Sequence, residues 1–113
     1  MLGLLGSSAP SSFHAVVVPG DGRVDVRFAG ELDLATVEEA QAAVAQAQEG
    51  NPGLLRLDLS GLTFLDSSGL HLVLKLHSAC RAEGRALEIE PGPRGVQRVF
   101  DLAGVLEILP FSD

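Results

Sequence analysis

An aspartate followed by two serines and a glycine, Asp66-Ser67-Ser68-Gly69, is the stretch of this chain whose residue types and spacing best suit chemistry. It lies within Leu62-Thr63-Phe64-Leu65-Asp66-Ser67-Ser68-Gly69-Leu70, where small polar residues separate a strand pattern from a helix pattern. Loops after the carboxyl ends of strands are where α/β sheets carry ligands and modifications, and a helix N-terminus offers unpaired N–H groups to an anion. A phosphate on Ser67 or Ser68 would therefore be well placed. Asp66 could cap the helix and accept a hydrogen bond from a serine hydroxyl, and it would become a repulsive neighbour once a phosphate arrived. The same residues are also what a helix start needs for capping alone, so a structural cap and a modification site both stand as readings.

Other chemistries fit less well. Asp66, Ser67, Ser68 and His71 contain the residue types of a hydrolase triad, but there is no Gly-x-Ser-x-Gly elbow, and residues crowded into six positions do not place base and orienter in line. No nucleotide-binding glycine motif occurs, and Lys75 is the only lysine. Gly92-Pro93-Arg94-Gly95 reads as a turn before a short helix. His14, His71 and His77 lack metal-ligand spacing and Cys80 is the only cysteine, so neither metal, cofactor nor disulfide is expected.

The elements that must position the serines are readable from periodicity. Ala15 to Val18 and Val24 to Ala29 look like strands, with Pro19-Gly20-Asp21-Gly22 as a hairpin turn. Val37, Ala40, Ala43, Val44 and Ala47 recur at helical spacing, with Thr36 and Glu39 as a capping box and Gly50-Asn51-Pro52-Gly53 as the stop. Leu55, Leu57 and Leu59 alternate with Arg56 and Asp58, the pattern of a strand with one wetter face. Ser68 to Gly84 fits both periods, and its length and Leu and Ala richness make it a helix. Ala86 to Glu90 is the next strand, Arg94 to Ala103 a short helix, and Val105 to Leu109 a final strand or extended tail. The order ββαβαβα plus a short C-terminal element implies an α/β fold, with a mixed sheet of four or five strands and helices packed on it.

The 113 residues suit one domain, with residues 1–12, rich in Ser, Gly and other small residues, as a flexible N-terminal tail and residues 13–113 as the domain. A net charge of -7 repels nucleic acid, so direct binding to it is not expected. No apolar run approaches the ~20 residues that cross a bilayer, and Met1 to Gly6 has no Lys or Arg ahead of its leucines, as a signal peptide would. With a lone cysteine, this points to a cytoplasmic protein without membrane insertion.

Phe28-Ala29-Gly30-Glu31-Leu32-Asp33, the helix from Thr36, Leu57 through Leu70, and Val99-Phe100-Asp101-Leu102-Ala103-Gly104-Val105 together resemble the STAS family, named for sulfate transporters and anti-sigma factor antagonists. The resemblance implies a STAS-like fold and a binding module that is not an enzyme. In the bacterial antagonists of that family, the unphosphorylated protein binds an anti-sigma factor that is also a serine kinase and so frees the sigma factor. Phosphorylation by that kinase ends the interaction, and a serine phosphatase restores it. Carried onto this chain, the acceptor matches Ser68, with Ser67 as the alternative, and Asp66, Asp33 and Gly69 lie beside it. Leu70 and Leu74 fall off the expected core face and, with Thr63, are candidates for the partner surface; the competing reading of the leucines is packing against a neighbouring helix. A constitutive STAS subunit or scaffold of another complex, lipid-transport or stressosome-like, is the alternative function.

Overall fold

Seven elements appear in the expected order in a computed structural model that describes residues 13–112: β1 (Phe13–Pro19), β2 (Arg23–Leu32), α1 (Val37–Glu49), β3 (Leu54–Leu65), α2 (Ser67–Glu83), β4 (Ala86–Glu90) and α3 (Arg94–Leu102). The expected tail, residues 1–12, lies outside the described residues. One four-stranded sheet has the order β1-β2-β3-β4, with β1 antiparallel to β2 and the other pairs parallel. This is the mixed α/β architecture anticipated from the pattern.

Alternation decides which face is covered. Phe13, Val24, Val26, Phe28, Leu55, Leu57, Leu59 and Ile89 are buried on one face, where they meet Ala40, Val44, Leu72, Val73, Leu76, Val96 and Phe100 from the three helices. The opposite face carries Asp25, Arg27, Arg56, Asp58, Glu88 and Glu90, with Arg56 paired to Glu90 and, at 3.7 Å, to Glu88. Arg85 is a buried cation that composition alone did not single out. It donates to Pro52 O (2.8 Å), Asn51 Oδ1 (3.0 Å) and Glu83, tying the turn before β4 to the turn before β3.

Four details depart from the sequence reading. The strand anticipated to stop at Leu59 continues to Leu65, because two register shifts against β2, between Arg27 and Ala29 and between Gly30 and Glu31, absorb the irregular Ser60-Gly61-Leu62 stretch. Glycine is required there: Gly30 has φ +94°, and a Cβ on Gly61 would lie 2.9 Å from Phe28 O. The Thr36/Glu39 capping box does not form. Asp33 Oδ1 accepts the N–H groups of Ala35 and Thr36 at 3.0 and 3.2 Å, while Thr36 Oγ1 accepts the Asp33 N–H at 3.0 Å, so the reciprocal box sits three residues earlier. The left-handed residue after α1 is Asn51 (φ +51°), not a glycine. Finally, Val105 to Leu109 is a turn, with Val105 O accepting from both Ile108 and Leu109. The half-buried Val105 and Leu106 and the buried Leu109 follow turn spacing rather than alternation, and only Phe111 bridges to Ile89.

Candidate functional site

Leu32 and Leu65 are paired in register at the carboxyl ends of β2 and β3, so Asp33 and Asp66 leave the sheet side by side. The Asp66 N–H donates to Leu32 O at 3.2 Å, which holds the two exits together. Each carboxylate then caps a different turn. Asp66, in extended conformation, accepts from the N–H groups of Ser68 (2.8 Å) and Gly69 (3.4 Å) through Oδ1 and is the N-cap of α2. Asp33 does the same for the turn into α1. The Oδ2 atoms of both residues accept no hydrogen bond among the described residues.

Ser67 is exposed at the first position of α2 and Ser68 half-buried at the second. Neither hydroxyl has a hydrogen-bond partner among the described residues, so the Asp66 carboxylate serves the backbone and not a serine side chain. Gly69 fixes the height of the helix over the sheet. A Cβ there would stand 2.8 Å from Leu32 Cγ and 3.1 Å from Leu65 Cγ, closer than side chains tolerate, and both leucines are buried. Only glycine lets α2 start directly on the strand ends.

The partner-surface candidates divide. Thr63 is exposed. Leu70 and Leu74 are half-buried and pack against the core. Large apolar exposure beside the serines comes instead from Leu34, 77% exposed in the Asp33 turn, and Phe64, 49% exposed at the end of β3. The sequence reading missed both. Phe64 had a signal: it falls in step with Arg56 and Asp58 on the wetter face, a phase that the two register shifts together restore beyond Gly61. Leu34 had a usable signal, a leucine isolated between a capping aspartate and the start of a helix.

Among the described residues no group of three or more His, Cys, Asp or Glu could hold a metal ion, and no helix is long and apolar enough to cross a membrane. The arrangement defines a small α/β domain that presents a serine pair on the first turn of α2, at the carboxyl ends of the two central strands. The sequence model of the STAS domain matches residues 14–113, and the chain belongs to that family. It is 34% identical over 84 residues to an anti-sigma F factor antagonist of Lysinibacillus sphaericus, covering 73% of this chain and 71% of the relative. The fold superposes on the crystal structure of an anti-sigma factor antagonist from Mycobacterium paratuberculosis with TM-score 0.77 and 26% identity, covering 93% of this chain and 89% of that one. It also superposes on the Bacillus cell fate determinant SpoIIAA in its phosphorylated form, with TM-score 0.65 and 25% identity over 89% of this chain and 91% of that one.

Proposed function

We propose that this protein is an anti-sigma factor antagonist that docks through the loop edge around Asp33, Phe64 and Asp66-Ser67-Ser68-Gly69, and that phosphorylation of Ser68 switches docking off. The observation that carries the reading is the placement of Ser68: a hydroxyl without a partner among the described residues, on the first turn of α2 that Asp66 caps, at the strand ends from which Asp33, exposed Leu34 and exposed Phe64 also leave the sheet. The kinship with proteins named as anti-sigma factor antagonists, and the existence of one relative in a phosphorylated form, support it.

The chain acts as a substrate and binding module. The kinase is its anti-sigma partner, a separate serine phosphatase resets it, and the exchange takes place in the cytoplasm. A phosphoserine adds about -1.5 to -2 charge at neutral pH, next to two carboxylates already on that edge. A partner surface that accepts leucine, phenylalanine and a neutral serine would then have to desolvate a concentrated anion, which breaks the complex without unfolding the domain.

Incubating the purified protein with ATP and candidate anti-sigma kinases of the same genome, followed by mass spectrometry and a sizing column, tests this. Phosphate at Ser68 with loss of the complex is the expected result, as is constitutive binding by Ser68→Ala and weak binding by Ser68→Asp with both variants folded. Failure of every candidate to bind or to modify Ser67 or Ser68 overturns the reading in favour of a constitutive STAS subunit.

A further inference from the structure

The end of the sheet that carries the serines is rich in carboxylates and poor in cations. Glu31 and Asp33 lie at the exit of β2, Glu38 and Glu39 in the first turn of α1, and Asp66 caps α2. Between Gly30 and Cys80 the only Lys or Arg residues are Arg56, ion-paired to Glu88 and Glu90 on the helix-free face, and Lys75 in the middle of α2. A phosphate arriving at Ser68 therefore meets no lysine or arginine within one turn of it on that helix.

One ionisable nitrogen does stand that close. His71 follows Ser67 by four residues and Ser68 by three on α2, spacings that bring helical side chains to about 5–6 Å between Cβ atoms. Side chains of a helix lean back toward its N-terminus, and for His71 that is the direction of the serines. His71 is exposed, and its ring makes no hydrogen bond or ion pair among the described residues.

We propose that His71 is the counter-ion of a phosphoserine at position 68: the phosphate draws a proton from solvent onto the imidazole, and the cation so formed pairs with it across one helical turn, fixing the phosphate over the start of α2. The inference rests on the reading of Ser68 as the modified residue. Histidine is the side chain that gains charge near neutral pH, and a phosphoserine brings about -1.5 to -2 charge there. The groups of the surrounding elements decide the sign. Glu31, Asp33, Glu38, Glu39 and Asp66 favour a charged ring, while Lys75, four residues beyond His71, and Arg94, at the start of α3, oppose it. Of the two cations only Lys75 is at one-turn spacing, and its single charge is outweighed by the phosphate.

Nuclear magnetic resonance of the full chain carrying phosphoserine at position 68, installed during translation rather than by a kinase, tests this. At about pH 7 the His71 ring nitrogens should shift toward the doubly protonated form relative to the unmodified chain, and about 1 M NaCl should reverse most of that shift. His77, half-buried and further along the same helix, should not move. The coupling is mutual, so His71→Gln should move the phosphorus resonance at that pH toward the monoanion, and His71→Arg should restore the position of the dianion. An unmoved His71 ring, equal movement of His77, a shift indifferent to salt, or a phosphorus resonance that ignores His71→Gln overturns the proposal. Because no kinase is used, a Ser68 that no kinase modifies would defeat the switch and leave these results standing, whereas an unmoved ring would defeat the pairing and leave the switch standing.

Discussion

Replacing Gly69 by alanine opposes two physical effects whose signs differ. Gly69 lies in the first turn of α2, and helix propensity alone favours alanine over glycine by about 1 kcal/mol. The fold argues otherwise, because the new Cβ would meet Leu32 Cγ at 2.8 Å, Leu32 Cδ2 at 3.0 Å and Leu65 Cγ at 3.1 Å. Leu32 is wholly buried and Leu65 nearly so, and both are anchored in strands, so neither can swing aside. Overpacking of this kind costs about 1–3 kcal/mol, which outweighs the propensity gain and leaves a net loss of about 0–2 kcal/mol. For a domain of this size that corresponds to a midpoint lower by up to about 15 °C. Gly95 supplies the internal control. It is exposed in the first turn of α3, and a Cβ there would meet nothing within 4 Å, so Gly95→Ala should stabilise by about 0.5–1 kcal/mol. Urea unfolding of the two variants reads both. If Gly69→Ala matched Gly95→Ala in raising stability, the close seating of α2 on the strand ends would be refuted. The same variant should lose partner binding or phosphorylation out of proportion to its stability, since relief of the clash lifts Ser67 and Ser68 off the sheet edge.

Asp66→Ala removes a side-chain cap on two N–H groups and a favourable charge at a helix start, and should cost about 1–2 kcal/mol in chemical unfolding, whereas Asp66→Asn keeps the cap and should lose under about 1 kcal/mol. Leu34→Asp and Phe64→Asp, both on exposed side chains, should change stability by less than about 0.5 kcal/mol yet weaken partner capture about tenfold or more in a pull-down titration, while Leu70→Ala and Leu74→Ala should show mainly as lost stability. Burial holds the Cys80 thiol above its ordinary pKa, so the fold keeps it neutral while the unfolded chain ionises it above about pH 8.5. Stability should therefore fall as pH rises past that point, a slope that Cys80→Ala should flatten in unfolding experiments at pH 7 to 9.5.

Much of this architecture is legible in periodicity because its core obeys simple alternation. Leu55, Leu57 and Leu59 against Arg56 and Asp58 announced the central strand, and the three- and four-residue steps of Val37 to Ala47 announced α1. The ambiguity of Ser68 to Gly84 resolved to helix, where Leu72, Val73, Leu76 and Cys80 are buried and the Gly84 cap has φ +70°. What stayed illegible is tertiary in origin. The extension of β3 to Leu65 depends on Gly61 seating against Phe28 and Ala29 of β2 and on the positive φ of Gly30 opposite Leu62, a pairing across two strands that no local window contains. What the two register shifts change is Leu62, which they turn into the core between the outward Ser60 and Phe64. The Asp33/Thr36 box competed with an equally plausible Thr36/Glu39 box, and the fold selects the earlier one because Thr36 Oγ1 also donates to Glu31 O at 2.8 Å.

Under the proposed switch, these same features would let the site change what it binds without refolding the domain. The groups that hold the site are backbone N–H groups, two capping carboxylates and a glycine, while the bulk of the stabilising apolar surface lies deeper, between Val26, Leu57 and Ile89 of the sheet and Val73, Val96 and Phe100 of the helices. A phosphate on Ser68 would compete with Asp66 for the N–H groups of Ser68 and Gly69, an exchange of one anionic cap for another at a helix terminus that favours either. The cost to folding is small because the N–H groups remain satisfied. The cost to a bound partner is large, because the displaced carboxylate and the phosphate both join Asp33 on the surface that Leu34 and Phe64 otherwise make apolar. Amide chemical shifts of the phosphorylated chain should accordingly move at Ser68, Gly69 and the Asp33 turn and stay fixed along β4 and α3; shifts spread through the sheet would show that the switch acts by refolding.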